Sequence, residues 1–350
     1  MPKTNTLLSA AVAVAGCMIL FGAPPHACAD IELHEKLTLS GWVDFNYVKW
    51  NRSEGASDDR DFGLTEVELN LALDLSEKVK GRIDISFNRN GTDINGEEDF
   101  DGDIEVATIT YIVTDELSLS GGKFLSFMGW EAFDLINLYQ FSGGGPQNAY
   151  IENGIGYPAF QNGVRATYAT DMFSVGASYV DDVWGPTARS TDYDVKDEGF
   201  EAMAKLTAID NFTLFLGYAQ QDGDGSGGPK DSQYYNAWAS YKFKDLLVAL
   251  EYVTEEDLGV TGITEDGDAW LAMANYTFTD WLAVTLRYTD DDRENAATNA
   301  ETANNYSYAI APIFTISDNL GMIIEYKHTE DRMTNASDTD QFAVELTLTF

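Results

Sequence analysis

The chain has little cysteine, little histidine and few basic residues. Of its 350 residues two are Cys and three are His, and 21 Lys and Arg stand against 58 Asp and Glu, which gives a net charge of -37. This balance argues against a nucleic-acid partner, because a phosphate backbone selects for basic surfaces. Both cysteines, Cys17 and Cys28, precede residue 30. The rest of the chain therefore has no disulfide framework and no thiol chemistry.

Long apolar runs and enzyme motifs are missing as well. After residue 29 no stretch approaches the roughly 20 apolar residues of a membrane-spanning helix, so a helical transporter is excluded. The sequence has no HExxH, no CxxC and no glycine-rich loop between strand and helix, and we expect no cofactor and no metal site. A serine hydrolase would need His34 or His328, and His328 has no Ser motif beside it. We therefore expect no catalytic residues and no enzyme.

Residues 1–29 have the features of a cleaved export signal. Lys3 provides a basic start, Leu7–Phe21 is mostly apolar, and Ala27-Cys28-Ala29 offers an A-x-A cleavage site. Val14-Ala15-Gly16-Cys17 forms a competing lipobox, which would leave Cys17 acylated. The expected exported protein is a single domain over residues 30–350.

From residue 30 onward, apolar and polar residues alternate in runs of about ten, which is the period of a β-strand. Two such runs carry Phe212, Leu214, Leu216, Tyr218 and Leu282, Val284, Leu286, Tyr288 on one face. Tight turns containing Asp join the strands in pairs, and a Tyr follows four of these aspartates by eight positions: Asp171/Tyr179, Asp210/Tyr218, Asp280/Tyr288 and Asp318/Tyr326. The sequence thus repeats one hairpin.

Longer acidic, Gly-rich connections alternate with the short turns, at 51–61, 91–101, 222–231, 257–267 and 290–303. Short turns on one side and long loops on the other are the layout of an outer-membrane barrel. The sequence predicts an all-β, antiparallel up-and-down transmembrane barrel of about sixteen strands, within a range of about 14–18. Strand starts are expected near residues 36, 62, 79, 103, 117, 162, 172, 199, 211, 233, 246, 268, 281, 304, 319 and 339. An even count places both termini on the periplasmic side.

Aromatic residues on the apolar faces form two predicted girdles. The residues assigned to them are Phe212, Phe243, Phe278, Trp281 and Phe314 near the short turns, Tyr218, Tyr252, Tyr288 and Tyr326 near the other ends, and the terminal Phe350. Six residues separate Phe212 from Tyr218, or roughly 20 Å along a strand. This distance fits an apolar band about 25 Å tall. A large secreted β-sandwich or solenoid with an aromatic core is the alternative, but a sandwich offers no reason for a constant Tyr offset from alternate turns.

The signal segment, the hairpin repeat and Phe350 together resemble Gram-negative porins. The segment Gly122-Lys-Phe-Leu-Ser-Phe-Met-Gly-Trp-Glu-Ala-Phe-Asp134, followed by Asn137, Tyr139 and Ser142, resembles more specifically the OmpL-like β-barrel porin-2 family. The resemblance implies a passive diffusion channel of the cell outer membrane, in contact with lipids and lipopolysaccharide, that passes small hydrophilic solutes. It also implies a homotrimer and recognition by the barrel assembly machinery through Phe350, and it names no solute.

The connection from Phe127 to Gln161 is the longest in the chain and is rich in aromatic residues and Gly. Loops of this length are usually functional or disordered. We expect this one to fold into the lumen and to narrow the pore, with Glu131 and Asp134 at the constriction. A loop over the barrel mouth, or a subunit contact, is the alternative.

Charged residues opposite the apolar faces are expected to face an aqueous lumen, because an Arg or Lys facing lipid at midplane would cost roughly 2–4 kcal/mol. The predicted pore-lining residues are Glu66, Glu68, Arg82, Asp84, Glu131, Asp134, Arg165, Lys205 and Arg287. Opposed acidic and basic groups in a narrow pore would create a transverse field. The alternative is that several of them only pair with neighbouring strands.

The acidic outer loops should raise the local concentration of cations at the mouth, so the sequence predicts a weak cation preference. Two acidic segments, 99–103 and 222–225, have the spacing of Ca²⁺ loops but lack the complete ligand set, and solvated loops are favoured there. The competing function is a closed structural or adhesive barrel that acts through its loops. About sixteen strands enclose a lumen wide enough for water, which favours the channel.

Overall fold

The computed structural model describes residues 31–52, 59–92, 98–131, 133–143, 160–181, 183, 198–222, 231–260, 263–333 and 338–350. The predicted signal segment, with Cys17 and Cys28, lies outside these residues. The strands are β1 Ile31–His34, β2 Leu37–Arg52, β3 Asp59–Asp74, β4 Val79–Thr92, β5 Glu98–Ile112, β6 Leu117–Leu125, β7 Phe160–Ala169, β8 Phe173–Val180, β9 Gly199–Ile209, β10 Phe212–Gln221, β11 Ser232–Phe243, β12 Leu246–Val260, β13 Ile263–Thr279, β14 Leu282–Asn295, β15 Glu301–Ser317, β16 Leu320–Asp331 and β17 Thr339–Thr349. A 3-10 turn, Leu135–Asn137, lies between β6 and β7.

The strands form one closed antiparallel barrel. Each strand from β2 to β17 pairs with its neighbours in the chain, and β17 returns to pair with β2. The short β1 forms an antiparallel pair with the first residues of β2 and is not a barrel strand, so the barrel has 16 strands, as the sequence predicted. The seam is completed by Phe350 and Gly41, which exchange two backbone hydrogen bonds of 2.8 and 3.0 Å. None of the helical segments among the described residues has the length and apolar character to cross a membrane.

The short turns lie where the aspartates predicted them, between β7 and β8, β9 and β10, β11 and β12, β13 and β14, and β15 and β16. Two of these turns need a residue in the left-handed region, and Asn211 and Lys244 take φ values of 61° and 54° there. Asn tolerates this conformation because its short polar side chain can bond to nearby backbone. The hairpin repeat of the sequence is therefore the repeat of the barrel.

Four of the five predicted long connections, all except 222–231, are wrong in part, because the strands continue into them. β14 runs on to Asn295, and the β12–β13 ladder extends to the pair Val260 and Ile263. In these extensions polar residues pair with polar residues, as Asp268 does with Asp292. A strand segment that extends beyond the apolar band of the membrane needs no apolar outer face. Its sequence therefore loses the alternation on which the prediction depended.

The barrel exposes its apolar face outward and buries the opposite face. On β14, Leu286 is 54% exposed, whereas its neighbour Arg287 is 3% exposed. None of Leu214, Val284 and Val344 is buried. A β-sandwich would enclose these three side chains in its core, so the soluble alternative is excluded for this fold.

The aromatic residues of the predicted girdles lie on or near the outer surface. Phe243, Phe278 and Trp281 are more than half exposed, Tyr288 and Tyr326 are also exposed, and Phe212, Tyr218, Tyr252, Phe314 and Phe350 are half-buried. Neighbouring strands contribute stacked or tilted pairs, including Trp281 with Phe314 and Tyr252 with Trp270, whose ring centroids lie 6.3 and 4.4 Å apart. Their contact with the two membrane interfaces remains a prediction.

Candidate pore and its inner loop

The chain that follows β6 enters the barrel and is held there by side chains of the wall. Gly129 donates its backbone N–H to Oδ1 of Asn236 on β11 at 3.1 Å, and Trp130 donates to Oε1 of Glu251 on β12 at 2.9 Å. Asn236 in turn donates its amide to the same Glu251 oxygen at 2.7 Å. We call residues 126–143 the inner loop; Ala132 within it is not described. The rest of the connection to β7, residues 144–159, lies outside the described residues.

A second anchor holds the far end of the inner loop. Glu325 on β16 accepts the backbone N–H of Phe141 at 3.0 Å and that of Ser142 at 3.2 Å. At the near end, Glu201 on β9 accepts a hydrogen bond from the Ser126 hydroxyl. The inner loop thus follows the wall from β9 to β16. Acidic residues that the sequence placed on the lumen face act here as acceptors for loop backbone.

Apolar side chains of the inner loop pack on an apolar part of the same wall. The Trp130 ring lies 5.2 Å from Trp238 on β11 in an edge-on arrangement, and Trp238 stacks on Phe215 of β10 at 5.2 Å. Met128 of the inner loop packs against Gly217 of β10. A Cβ at Gly217 would collide with the sulfur of Met128, so the glycine allows this close approach. Burial of these side chains stabilises the docked loop by about 25 cal/mol per Å² of apolar surface removed from water. This stabilisation adds to that of the hydrogen bonds described above.

Glu131 and Arg287 form a buried ion pair between the inner loop and β14. Arg287 donates through Nε and Nη2 to the two Glu131 oxygens, each at 2.7 Å, and the side chains are 3% and 1% exposed for Glu131 and Arg287. Gly143 packs over the pair with a φ of +103°, and a Cβ at this position would fall 2.6 Å from Glu131 Oε2. This two-point geometry fastens the loop rather than presenting free charge to solvent.

Arg165 on β7 supports the base of the inner loop. Its guanidinium lies 4.0 Å from the ring centroid of Phe124 and 3.8 Å from that of Phe127, and it donates to the Leu125 carbonyl at 2.6 Å. The Glu201 carboxylate is 4.0 Å away. Stacking between two rings and a backbone acceptor leave this Arg little freedom.

The opposite wall, formed by β3, β4 and β5, is strongly acidic. Glu66 and Glu68 on β3, Asp84 on β4 and Glu105 on β5 are all buried there. Arg82 is the basic neighbour, and its Nε lies 2.7 Å from Asp84 Oδ2. A cavity of about 250 Å³ separates this wall from the inner loop, and Arg82, Asp84, Glu105, Asp134 and Arg165 are among the residues that line it.

The outer mouth contains another charged group, beyond the row of aromatic residues that includes Tyr252. Arg293 on β14 lies 3.0 Å from Glu265 on β13. Burial raises the pKa of the nearby Glu255 to about 8, against the opposing effect of the Arg293 guanidinium. Both Glu255 oxygens are enclosed, with no hydrogen-bond partner among the described residues.

The structure distributes the nine predicted pore-lining residues over three places. Glu66, Glu68, Arg82, Asp84 and Asp134 lie at or beside the acidic wall, Glu131, Arg165 and Arg287 hold the inner loop, and Lys205 lies on the lumen face of β9 two residues from Met203. The basic groups Arg82, Arg165 and Arg287 each have an acid within 4.0 Å. Their charges are thus balanced locally, and they do not form the separate basic side that a transverse field requires.

The sequence interpretation missed Glu105 and the anchoring role of Glu201, Glu251 and Glu325. Glu105 is out of phase with its neighbours because β5 carries a bulge between the pairs Asp84–Val106 and Ile85–Ile104. A lone acid in an otherwise apolar alternation is the only local signal of this bulge. The anchors leave no local signal, since Trp130 and Glu251 are 121 positions apart.

The comparisons with known proteins agree on one family. The family model of Gram-negative porins matches residues 9–340. No curated protein sequence matches the chain. The OmpL-like subfamily indicated by the segment at Gly122–Asp134 remains a prediction.

Solved structures with similar folds are outer-membrane proteins. The outer membrane channel DcaP of Acinetobacter baumannii is 15% identical with a TM-score of 0.65, and the match covers 90% of this chain and 97% of that chain. An anion-selective porin from Comamonas acidovorans is 13% identical with a TM-score of 0.62, covering 90% and 99%. A loop-deletion mutant of OmpT, an outer membrane protein of Vibrio cholerae, is 15% identical with a TM-score of 0.62, covering 90% and 100%. At these identities the likeness concerns the fold.

Proposed function

This chain belongs to the Gram-negative porin family, and we propose from that premise that its channel conducts cations in preference to anions. As a porin it is located in the outer membrane and forms a channel for passive diffusion. Its family and fold point to a channel rather than to an enzyme. Its outer wall is in contact with the lipids of that membrane.

The observation that carries the proposal is the excess of carboxylates beside the cavity. Along the acidic wall, the carboxylates of Glu66, Glu68, Asp84 and Glu105 outnumber the guanidinium of Arg82, which is paired with Asp84. A narrow passage lined by low-dielectric walls focuses such a field and raises the local concentration of counter-ions. Small hydrated cations are therefore favoured in this passage.

The passage itself is expected between the inner loop and the acidic wall. Hydrogen bonds and apolar packing hold the loop on β9 to β16, which leaves the β3–β5 side of the lumen beside the cavity. Asp134 of the loop lines this cavity across from Arg82 and Asp84. In this proposal Asp134 and the wall form the constriction, whereas Glu131 acts through its pair with Arg287 to position the loop.

Single-channel recording of the refolded protein in planar bilayers tests the proposal. We expect ohmic steps and, in a KCl gradient, a reversal potential with the sign of K⁺ preference. Anion selectivity would contradict the cation preference alone. Silence in several lipid mixtures, together with no swelling of sugar-loaded liposomes, would instead support a closed structural or adhesive barrel.

A homotrimer, recognition of Phe350 by the barrel assembly machinery and contact with lipopolysaccharide complete the proposed setting. One OmpT structure of Vibrio cholerae is described as a trimer form, which supports the first of these. Cross-linking of the protein in native outer membranes should give a three-subunit species. A single-subunit species under the same conditions would overturn the trimer.

A further inference from the structure

We propose that the lumen contains a binding site for a divalent cation, formed by Glu66, Glu68 and Glu105. One carboxylate oxygen from each residue lies within 4.8 Å of the others. The three residues are 4%, 1% and 4% exposed, so these are enclosed groups and not members of a solvated acidic loop. The sequence predicted no metal site, since no metal motif connects residues of β3 and β5.

Backbone geometry directs the three carboxylates toward one point. Glu66 and Glu68 alternate on β3 and both face the lumen. Glu105 is the extra residue of the β5 bulge, and it faces inward although its neighbour Val106, which pairs with Asp84, lines the same cavity. Bulges of this kind re-aim a side chain and are frequent beside functional sites.

An unsatisfied oxygen within the cluster points to a missing ligand. Oε2 of Glu68 is enclosed and has no hydrogen-bond partner among the described residues. The Asn70 amide, oriented to donate, reaches the other oxygen, Oε1, at 2.7 Å. Ser86 donates to Glu66 Oε1 at 2.7 Å. Each carboxylate of β3 thus has a donor on one side, and the enclosed Glu68 oxygen is left for a cation, because an unpaired buried carboxylate is costly.

The basic neighbour of the cluster, Arg82, is engaged with Asp84. Its Nε lies 2.8 Å from Asp84 Oδ1 and 2.7 Å from Oδ2. The three carboxylates bring together negative charge that a divalent ion would offset.

The ligand set selects a hard cation. All three ligands are carboxylate oxygens, which suit Ca²⁺ and Mg²⁺ rather than softer transition metals. Ca²⁺ takes six to eight ligands, so water from the lumen would fill the remaining positions. We therefore assign the site to Ca²⁺.

Binding can be measured on the refolded protein in detergent, without any requirement for conductance. Trp42 pairs with Glu68 across β2 and β3 and is buried beside it, so it can sensitise the luminescence of bound Tb³⁺. The probes are Tb³⁺, and Ca²⁺ as its competitor. The variants are Glu68→Gln and Glu105→Gln, and Glu265→Gln is the matched control, since Glu265 is a buried lumen-facing acid that pairs with Arg293 outside the cluster.

We expect Ca²⁺ to displace Tb³⁺ from a single site in the unchanged protein and in the Glu265→Gln variant. Removal of one ligand should weaken that affinity by at least about tenfold, and Trp42→Phe should abolish the sensitised emission but leave calorimetric Ca²⁺ binding intact. Equal affinities in the unchanged protein and in both cluster variants would overturn the site. Because the readout is binding, this outcome is distinct from a failure of channel activity.

Discussion

At the scale of single residues, the charged residues of the lumen divide into two groups. One group holds the inner loop on the wall, and the other faces the passage. Glu131 and Arg287 are 156 positions apart in the chain, yet they form a two-point buried pair. Asp134, three residues after Glu131, lines the open cavity. The same short segment therefore supplies both a positioning carboxylate and a candidate constriction carboxylate.

Removing either member of the buried pair should loosen the inner loop. In Glu131→Gln and Arg287→Gln one charge stays buried without its partner, a change that costs about 3–5 kcal/mol when a buried pair is broken. We expect both variants to show larger unit conductance and more open-channel noise in planar bilayers. The two substitutions change the net charge in opposite directions, so a shared effect reports the loop and not the charge.

The matched control for the pair is Arg332→Gln. Arg332 pairs with Asp290 at 2.9 Å, but both side chains are partly exposed outside the lumen, where ion pairs contribute little. Its conductance should equal that of the unchanged protein. Unchanged conductance in both pair variants, with opposite shifts in selectivity, would mean that Glu131 and Arg287 act as pore charges.

Glu255 should make the stability of the barrel depend on pH. Burial raises its pKa to about 8 in the folded protein, whereas the unfolded chain has the ordinary value near 4.3. Between these values the folded state keeps a proton that the unfolded state has lost. Stability therefore falls as pH rises through this window, by at most about 1.4 kcal/mol per pH unit.

Urea unfolding at pH 5, 6.5 and 8 measures this effect. Glu255→Gln should flatten the decline, since a neutral amide does not titrate. Glu256→Gln changes the adjacent, exposed acid and should leave the decline as it is. If the two variants have the same pH profile as the unchanged protein, burial of Glu255 has no energetic consequence.

At the scale of elements, the inner loop is attached through backbone N–H groups to side chains of four strands. This arrangement explains why the lumen faces of β9, β12 and β16 carry the carboxylates of Glu201, Glu251 and Glu325. A carboxylate that accepts two backbone donors, as Glu325 does from Phe141 and Ser142, forms charge-assisted bonds that are shorter and stronger than neutral ones.

The chemistry of the Glu325 anchor predicts a graded response. Glu325→Gln keeps an acceptor oxygen for the loop and should change conductance little, whereas Glu325→Leu leaves two buried N–H groups without an acceptor, at about 1–3 kcal/mol each. We expect frequent fluctuations between conductance levels only in the Leu variant. Protease cleavage of the inner loop in the folded protein gives an independent readout. Identical traces for both variants would show that Glu325 does not hold the loop.

The outward face of β14 predicts a position-dependent cost for a charge. Leu286→Arg places a guanidinium on the lipid face near midplane, which should destabilise the barrel by about 2–4 kcal/mol. Asp292→Arg places the same group six residues farther along the same face, beyond Tyr288, where it should cost about 0–1 kcal/mol. Equilibrium folding into lipid vesicles measures the free energy of folding of both variants. Equal costs would mean that no hydrocarbon covers Leu286.

Much of the barrel could be predicted from the sequence because the evidence for it is local. Apolar alternation and the turn aspartates located the sixteen barrel strands but not β1, and β4, β6 and β9 begin at the expected residues. The prediction failed where this local evidence stops. Strand segments such as Asp290–Asn295 leave the apolar band and lose their alternation, and the bulge at Glu105 shifts one strand by a residue.

The lumen was less predictable than the wall. Which residues face inward follows from alternation, so the predicted lumen residues lie on the inner face or on the inner loop. Whether such a residue lines water or holds the loop depends on partners more than a hundred positions away, as for Gly129 and Asn236, 107 apart. No periodic pattern contains that information.

At the scale of the whole molecule, the barrel reverses the arrangement of a soluble protein. Apolar side chains cover the outside, and buried acids, an anchored loop and a cavity occupy the inside. The closed hydrogen-bond ladder leaves no strand edge, which is the condition for a β-structure to cross a membrane. Conduction requires that water fill the lumen and hydrate the polar inner face of the barrel.

Cysteine accessibility at two adjacent residues tests this claim most directly, because residues 30–350 contain no Cys. Thr108 on β5 lines the cavity, whereas Ile109 is 71% exposed on the outer face. In lipid vesicles, a cationic methanethiosulfonate reagent should label the Thr108→Cys variant and reduce its conductance. It should leave the Ile109→Cys variant unlabelled. Labelling of Ile109→Cys with none of Thr108→Cys would contradict a water-filled lumen enclosed by a lipid-facing wall.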